Sequence, residues 1–186
     1  MSIKHKQRFN WSNVSNGISI TRILIGFPLV LTLANRNYII SILIIIIGAI
    51  TDYLDGFIAR KFNCKSSFGA KIDPLADKIF LLGPLIWIAY ENYVPIWSIW
   101  ILISRELIIT GWRSNISSGA PASIYGKYKT VLLFLSIILL IWPQSLSYKY
   151  DILINRIGYF AFWVSFILAI SSGIKYLIIQ RENHRN

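Results

Sequence analysis

Four of the chain's eight acidic residues fall within one stretch: Asp52, Asp55, Asp73 and Asp77. The stretch follows a run of almost pure hydrocarbon, YIISILIIIIGAI. Carboxylates at the edge of a membrane-length apolar run are expensive to keep there, so they mark a functional site. Asp52, Asp55, Gly56 and Ala59 recur at helical spacing and share one face. Asp73 and Asp77 are four apart and do the same. Asp73 before Pro74 predicts a helix start, with Asp as N-cap and Pro at the first helical position. If the two faces meet, four carboxylates surround one point.

Carboxylates gathered in a low dielectric repel one another until some of them take up protons or a cation enters. An all-oxygen donor set suits Mg²⁺ or Mn²⁺, and Mg²⁺ is usually shared between carboxylates and substrate phosphates. Two such ions about 4 Å apart form the clamp used in phosphoryl-type displacement. The competing reading is that these acids neutralise Arg60, Lys61, Lys65, Lys71 and Lys78 nearby. Their helical spacing argues for the metal site instead.

Asp52, Asp55, Gly56, Ala59, Arg60, Gly69, Asp73 and Asp77 match every fixed position of D-x2-D-G-x2-A-R-x8-G-x3-D-x3-D. Through that motif the chain resembles the CDP-alcohol phosphatidyltransferase family. The resemblance implies a six-helix integral membrane enzyme that moves a phosphatidyl group from CDP-diacylglycerol to an alcohol and releases CMP. It implies two divalent cations, Mg²⁺ or Mn²⁺, with Asp52 and Asp73 touching both. Asp55 would complete one ion site and Asp77 the other, Asp77 also serving as general base. Gly56 and Arg60 would contact the CDP group, and Ser66 resembles a further nucleotide contact.

Upstream, NVSNGISITRIL is similar to the N-x-P-N-x-x-T-x-x-R segment of phosphatidylglycerophosphate synthases within that family. Ser15 replaces the Pro and loses its rigid turn, whereas Ser19 replaces a Thr and keeps the hydroxyl. By this likeness Asn16 and Ser19 join the CDP-lipid contacts. Downstream, SRELIITGWR and ASIYGKYKT resemble the same branch, whose acceptor is glycerol 3-phosphate. Arg105, Arg113, Lys127 and Lys129 are then the candidate pocket for the acceptor phosphate. The bland reading of the two lysines is interfacial anchoring. A homodimer is also implied by the resemblance.

These residues need elements to hold them. Hydrophobic residues make up 55% of the 186, and mean hydropathy is +0.55. That composition predicts an all-α polytopic membrane protein, one domain over residues 1–186. Spans are expected at about 17–35, 38–61, 74–91, 95–113, 125–143 and 156–180, each near the ~20 residues a bilayer requires. Residues 1–16 are expected to form a short interfacial segment, with Phe9 and Trp11 at headgroup depth beside Lys4, Lys6 and Arg8. No cleavable signal peptide is expected. Polar residues 144–156 should form a loop, and Gly83-Pro84 should kink the third span.

The net charge is +11, yet Lys and Arg are scattered, which argues against nucleic-acid binding. Most of the excess falls at the termini and in the second-to-third and fourth-to-fifth loops. The positive-inside rule then puts both termini and the motif on the cytoplasmic side, in a bacterial plasma membrane or organelle equivalent. The single Cys64 excludes an internal disulfide, and His5 and His184 lie outside the spans, which disfavours a phosphohistidine route.

Two charged positions inside spans stay open. Arg22 either snorkels to the interface or faces the site with Asn13, Asn16 and Ser19. Arg105 and Glu106 are neighbours whose side chains point apart, so each is expected to find its partner on another helix. Alternative acceptors are inositol phosphate, serine or a neutral alcohol; a neutral one would have no use for the cationic cluster. A divalent-cation transporter is the reading from another class. It predicts acids on several helices, whereas these sit on two consecutive ones.

Overall fold

The computed structural model describes residues 11–62, 69–114, 124–143 and 148–183, and every regular element among them is a helix. In chain order these are α1 (Trp11–Ala34), α2 (Tyr38–Phe62), α3 (Gly69–Tyr90), α4 (Ile96–Ser114), α5 (Ile124–Leu140) and α6 (Tyr148–Asn183). Apolar runs of this length exceed any ordinary strand, which settles helix over sheet even for the isoleucine-rich α2.

Two tight turns close one end of the bundle. Between α1 and α2, Arg36 takes a left-handed conformation, with φ 56°, and the Asn37 N–H donates to the Thr32 carbonyl at 2.8 Å. The Ser41 hydroxyl donates to Thr32 Oγ1 at 2.9 Å and so pins the start of α2 to the end of α1. Between α3 and α4, Asn92 takes the same left-handed form, with φ 60°. An exposed ion pair, Arg36 to Glu91 at 3.2 Å, brings the two turns side by side.

Each helix buries one stripe at helical period. On α2 it is Ser41, Ile42, Ile45 and Gly48; on α3 it is Ala76, Phe80, Pro84 and Ile88. On α6 it is Gly158, Phe162, Ser165, Ala169 and Gly173. The principal packings are α1 with α2 and α3, α5 with α6, and α3 and α6 with α4. The core gathers Leu29, Leu33, Ile45, Phe80, Ile88, Ile137, Leu140 and Phe162. A Cβ at Gly158 would stand 3.0 Å from Leu139 Cβ and 3.2 Å from the Leu140 backbone nitrogen, so α5 and α6 touch through that glycine.

The outside is as apolar as the inside. Leu24, Phe27, Ile39, Leu43, Ile47, Trp100, Phe160, Ile167 and Ile174 are exposed, while Ser19, Arg22, Ser41, Ser98, Ser136 and Ser165 are buried. Among the described residues one helical stretch, Lys149–Tyr176, is long and apolar enough to cross a membrane by itself. Shorter apolar stretches occupy Ser19–Ala34, Tyr38–Leu54 and Tyr128–Leu140.

Three boundaries differ from the sequence reading. α3 begins at Gly69, so Asp73 and Pro74 lie inside the helix instead of capping it. Pro74 is past the first turn, so it cannot give the N–H that would bond the Ala70 carbonyl, and the helix runs through it one backbone hydrogen bond short. α6 begins at Tyr148, so most of the expected loop before the sixth span is helical. Asp151 in its first turn favours that start, a carboxylate at the positive end of the helix dipole. α1 starts at Trp11, so residues 11–16 continue the first helix instead of lying in a separate segment; residues 1–10 are outside the described residues.

Candidate active site

Three helices contribute to the first charge cluster. Asp52 lies on α2 and Asp77 on α3, one from each half of the aspartate motif. Both reach Arg22 of α1. Arg22 Nη1 stands 3.2 Å from Asp52 Oδ1 and donates a short hydrogen bond to Asp77 Oδ1. The guanidinium is buried, with 2% of its side chain exposed, while Asp52 and Asp77 keep 52% and 38%. A side chain that deep is not snorkelling, so Arg22 faces the site. Its Nε and Nη2 atoms are buried and have no partner among the described residues. Ser19, one turn earlier on the same face of α1, is fully buried.

This geometry joins the two motif halves. Asp55 sits one turn after Asp52 on α2, and Asp73 one turn before Asp77 on α3. The side chains of Asp55, Asp73, Arg60 and Asn16 and the burial of Gly56 lie outside what is described, as does the whole of Ser66. No trio of His, Cys, Asp or Glu gathers among the described residues; Asp52 and Asp77 make a pair. The donor chemistry nevertheless suits a hard cation. Two carboxylates from separate helices, both part-exposed, already converge on one positive charge.

The second cluster centres on Glu106 of α4. Arg105 Nη1 donates to Glu106 Oε1 at 2.6 Å, and Lys129 of α5 donates a short hydrogen bond to the same oxygen. Lys78 Nζ of α3 stands 3.9 Å from Glu106 Oε2. Arg105 Nη2 donates to Ser172 of α6 at 2.9 Å, and Ser165 of α6 donates to the Lys129 carbonyl at 2.7 Å. The expectation that Arg105 and Glu106 would not pair is therefore corrected. Neighbouring Cβ atoms diverge, but a long guanidinium can curl back to the carboxylate beside it. Both residues also find the partners on other helices that were expected.

Of the acceptor-phosphate candidates, Arg105 and Lys129 come together. Arg113 and Lys127 lie on α4 and α5 with side chains outside the described residues. Lys78 turns to Glu106, so α3 presents Asp77 to Arg22 and Lys78 to Glu106 from adjacent positions. Glu106 as the hub was not read from the sequence. The signal was its cost: a carboxylate in mid-helix among apolar residues needs more than one cation. Cavities of about 490 and 360 Å³ open at the other end of the bundle around Asn92, Tyr93 and Tyr159, and no motif residue lines them.

Comparison with known proteins assigns this arrangement to a family. A family model described as CDP-alcohol phosphatidyltransferase matches residues 12–171. A CDP-diacylglycerol--glycerol-3-phosphate 3-phosphatidyltransferase of Wigglesworthia glossinidia brevipalpis is 39% identical over 155 residues, covering 78% of this chain and 81% of the relative. Relatives of the same name in Sodalis glossinidius and Rickettsia felis are 32% and 28% identical, over 76% and 88% of this chain and 78% and 93% of theirs. The matched region contains α1 to α5 and most of α6, with both charge clusters. The chain is a phosphatidyltransferase and belongs to the CDP-alcohol phosphatidyltransferase family.

Proposed function

We propose that this enzyme transfers the phosphatidyl group of CDP-diacylglycerol to sn-glycerol 3-phosphate, giving phosphatidylglycerophosphate and CMP. The observation that carries the reading is the pairing of two clusters on one helix. Asp77 stands in a carboxylate cluster and Lys78, the next residue, in a cationic one. A two-substrate transfer with a charged acceptor needs both, side by side. The relatives' printed names supply the two substrates.

Asp52, Asp55, Asp73 and Asp77 would hold two divalent ions, Mg²⁺ or Mn²⁺. Bound there, such ions supply neutralisation of the substrate diphosphate and of the charge that builds on the departing CMP. The chain's own residues do the rest. Arg60 offers a planar cation to the diphosphate, with Gly56, Ser66, Ser19 and Asn16 around the nucleotide. Arg22 holds Asp52 and Asp77 in register across three helices. Arg105, Arg113, Lys127 and Lys129 receive the acceptor phosphate. Asp77 takes the proton from the acceptor hydroxyl, which then attacks the phosphorus bearing diacylglycerol.

The whole chain acts as one membrane domain of six spans, a homodimer with the site and both termini on the cytoplasmic side. Buried serines and exposed isoleucines support the membrane reading, because lipid is the solvent in which such an exterior is stable. The test is CMP release by the purified protein from CDP-diacylglycerol with an acceptor panel. Glycerol 3-phosphate should support turnover, while serine, glycerol and inositol phosphate should not. Equal or faster release with one of the latter would replace the acceptor assignment.

A further inference from the structure

Glu106 is the carboxylate that the aspartate motif does not explain. It draws Lys78, Arg105 and Lys129 from α3, α4 and α5, and all four side chains are less than a quarter exposed. Three cations that close together repel one another strongly where water is scarce. One carboxylate among them leaves the cluster at net +2. A phosphate monoester, whose second ionisation lies near pH 6, carries close to −2 at neutral pH.

We propose that Glu106 is a positioning and specificity-determining residue: it gathers Lys78, Arg105 and Lys129 and offsets part of their mutual repulsion, so that they can receive a phosphate monoester dianion within the acceptor pocket. The inference rests on the reading that the acceptor bears a phosphate. Three details fit. Ser172 holds one Arg105 nitrogen, and the buried Arg105 Nε has no partner among the described residues. A Cβ at Gly173 would come within 2.8 Å of that Nε, so the chain leaves room for the guanidinium. Lys78 adjoins Asp77 in the chain, so the two clusters are served by neighbouring residues of α3.

The test is steady-state CMP release by the purified full chain and its Glu106→Gln and Glu106→Asp variants, varying each substrate in turn. Glu106→Gln should raise the KM for glycerol 3-phosphate by on the order of 10–100-fold, towards the low end of what removing one partner of a buried charge pair costs, since the cluster keeps some solvent contact. The KM for CDP-diacylglycerol should stay within about twofold of the wild type, since uniform ground-state binding of that substrate is untouched. Glu106→Asp, which keeps the charge on a shorter arm, should show an intermediate rise, and it carries the test if Glu106→Gln does not accumulate. An unchanged or lower glycerol 3-phosphate KM, or a parallel rise in both KM values, overturns the inference. Wild-type protein that releases no CMP with glycerol 3-phosphate overturns the functional reading and the inference together. A working wild type with indifferent Glu106 variants overturns the inference alone.

Discussion

At the scale of single residues, the account turns on which charges meet. Arg22 pairs with both Asp52 and Asp77 from within the bundle. Arg22→Leu would leave two carboxylates facing each other, and breaking a buried pair costs about 3–5 kcal/mol. The loss here should fall at or below the lower end, because both carboxylates keep solvent contact. Thermal unfolding in detergent measures it; an unchanged midpoint would show the bridge to be idle. Asp77→Asn removes the proposed base together with one carboxylate of the proposed ion site and the ion pair to Arg22. CMP release should drop by on the order of 10²–10⁴-fold while CDP-lipid binding survives. A near-normal rate would take the base role from Asp77. Much of this was legible beforehand. The spacing of Asp52, Asp55, Asp73 and Asp77 puts each pair on one helix face, but only packing shows that Asp52 and Asp77 meet, on Arg22. Arg22 was not resolved, because a cation near the start of an apolar run looks the same whether it escapes to water or turns inward. Only the depth of α1 against α2 and α3 decides.

At the scale of elements, α3 does the joining: one turn of it faces both clusters. α6 closes the second cluster through Ser165, Ser172 and Gly173. Gly173→Ala should push the Arg105 guanidinium off Ser172 and raise the glycerol 3-phosphate KM several-fold, with an overpacking cost of about 1–3 kcal/mol. A variant with reduced stability but wild-type KM would separate α6 from the acceptor site. The helices themselves were legible from hydropathy, but two of their starts were not. Asp73-Pro74 has the chemistry of a cap, yet the turn from Gly69 to Ile72 continues the helix upstream of it. YKYDILINR is polar enough to read as a loop and carries no glycine or proline to enforce one, so α6 runs through it. Hydropathy measures transfer to lipid, and a helix can outlast its apolar part. α6 has 36 residues and is about 54 Å long at ~1.5 Å per residue, well beyond the ~30 Å hydrocarbon core of a bilayer.

At the scale of the whole molecule, the described exterior is as apolar as the core, with serines and Arg22 buried among the core residues, and the apolar composition signalled such an exterior. What composition cannot give is which interior charges group together, since that depends on packing between helices far apart in sequence. Sidedness has a built-in probe. Cys64, the chain's one cysteine, lies between α2 and α3. A membrane-impermeant maleimide should label it in inside-out vesicles and not in right-side-out ones; the reverse pattern would invert the topology. The central claim is that carboxylates from both motif halves hold divalent ions in this bundle. Counting Mn²⁺ bound to the purified protein by electron paramagnetic resonance, with CDP-diacylglycerol present, tests it most directly. The account predicts two ions per chain, weakened or lost in Asp52→Asn and Asp73→Asn. Wild-type protein that binds no Mn²⁺, or variants that bind it as the wild type does, would contradict it.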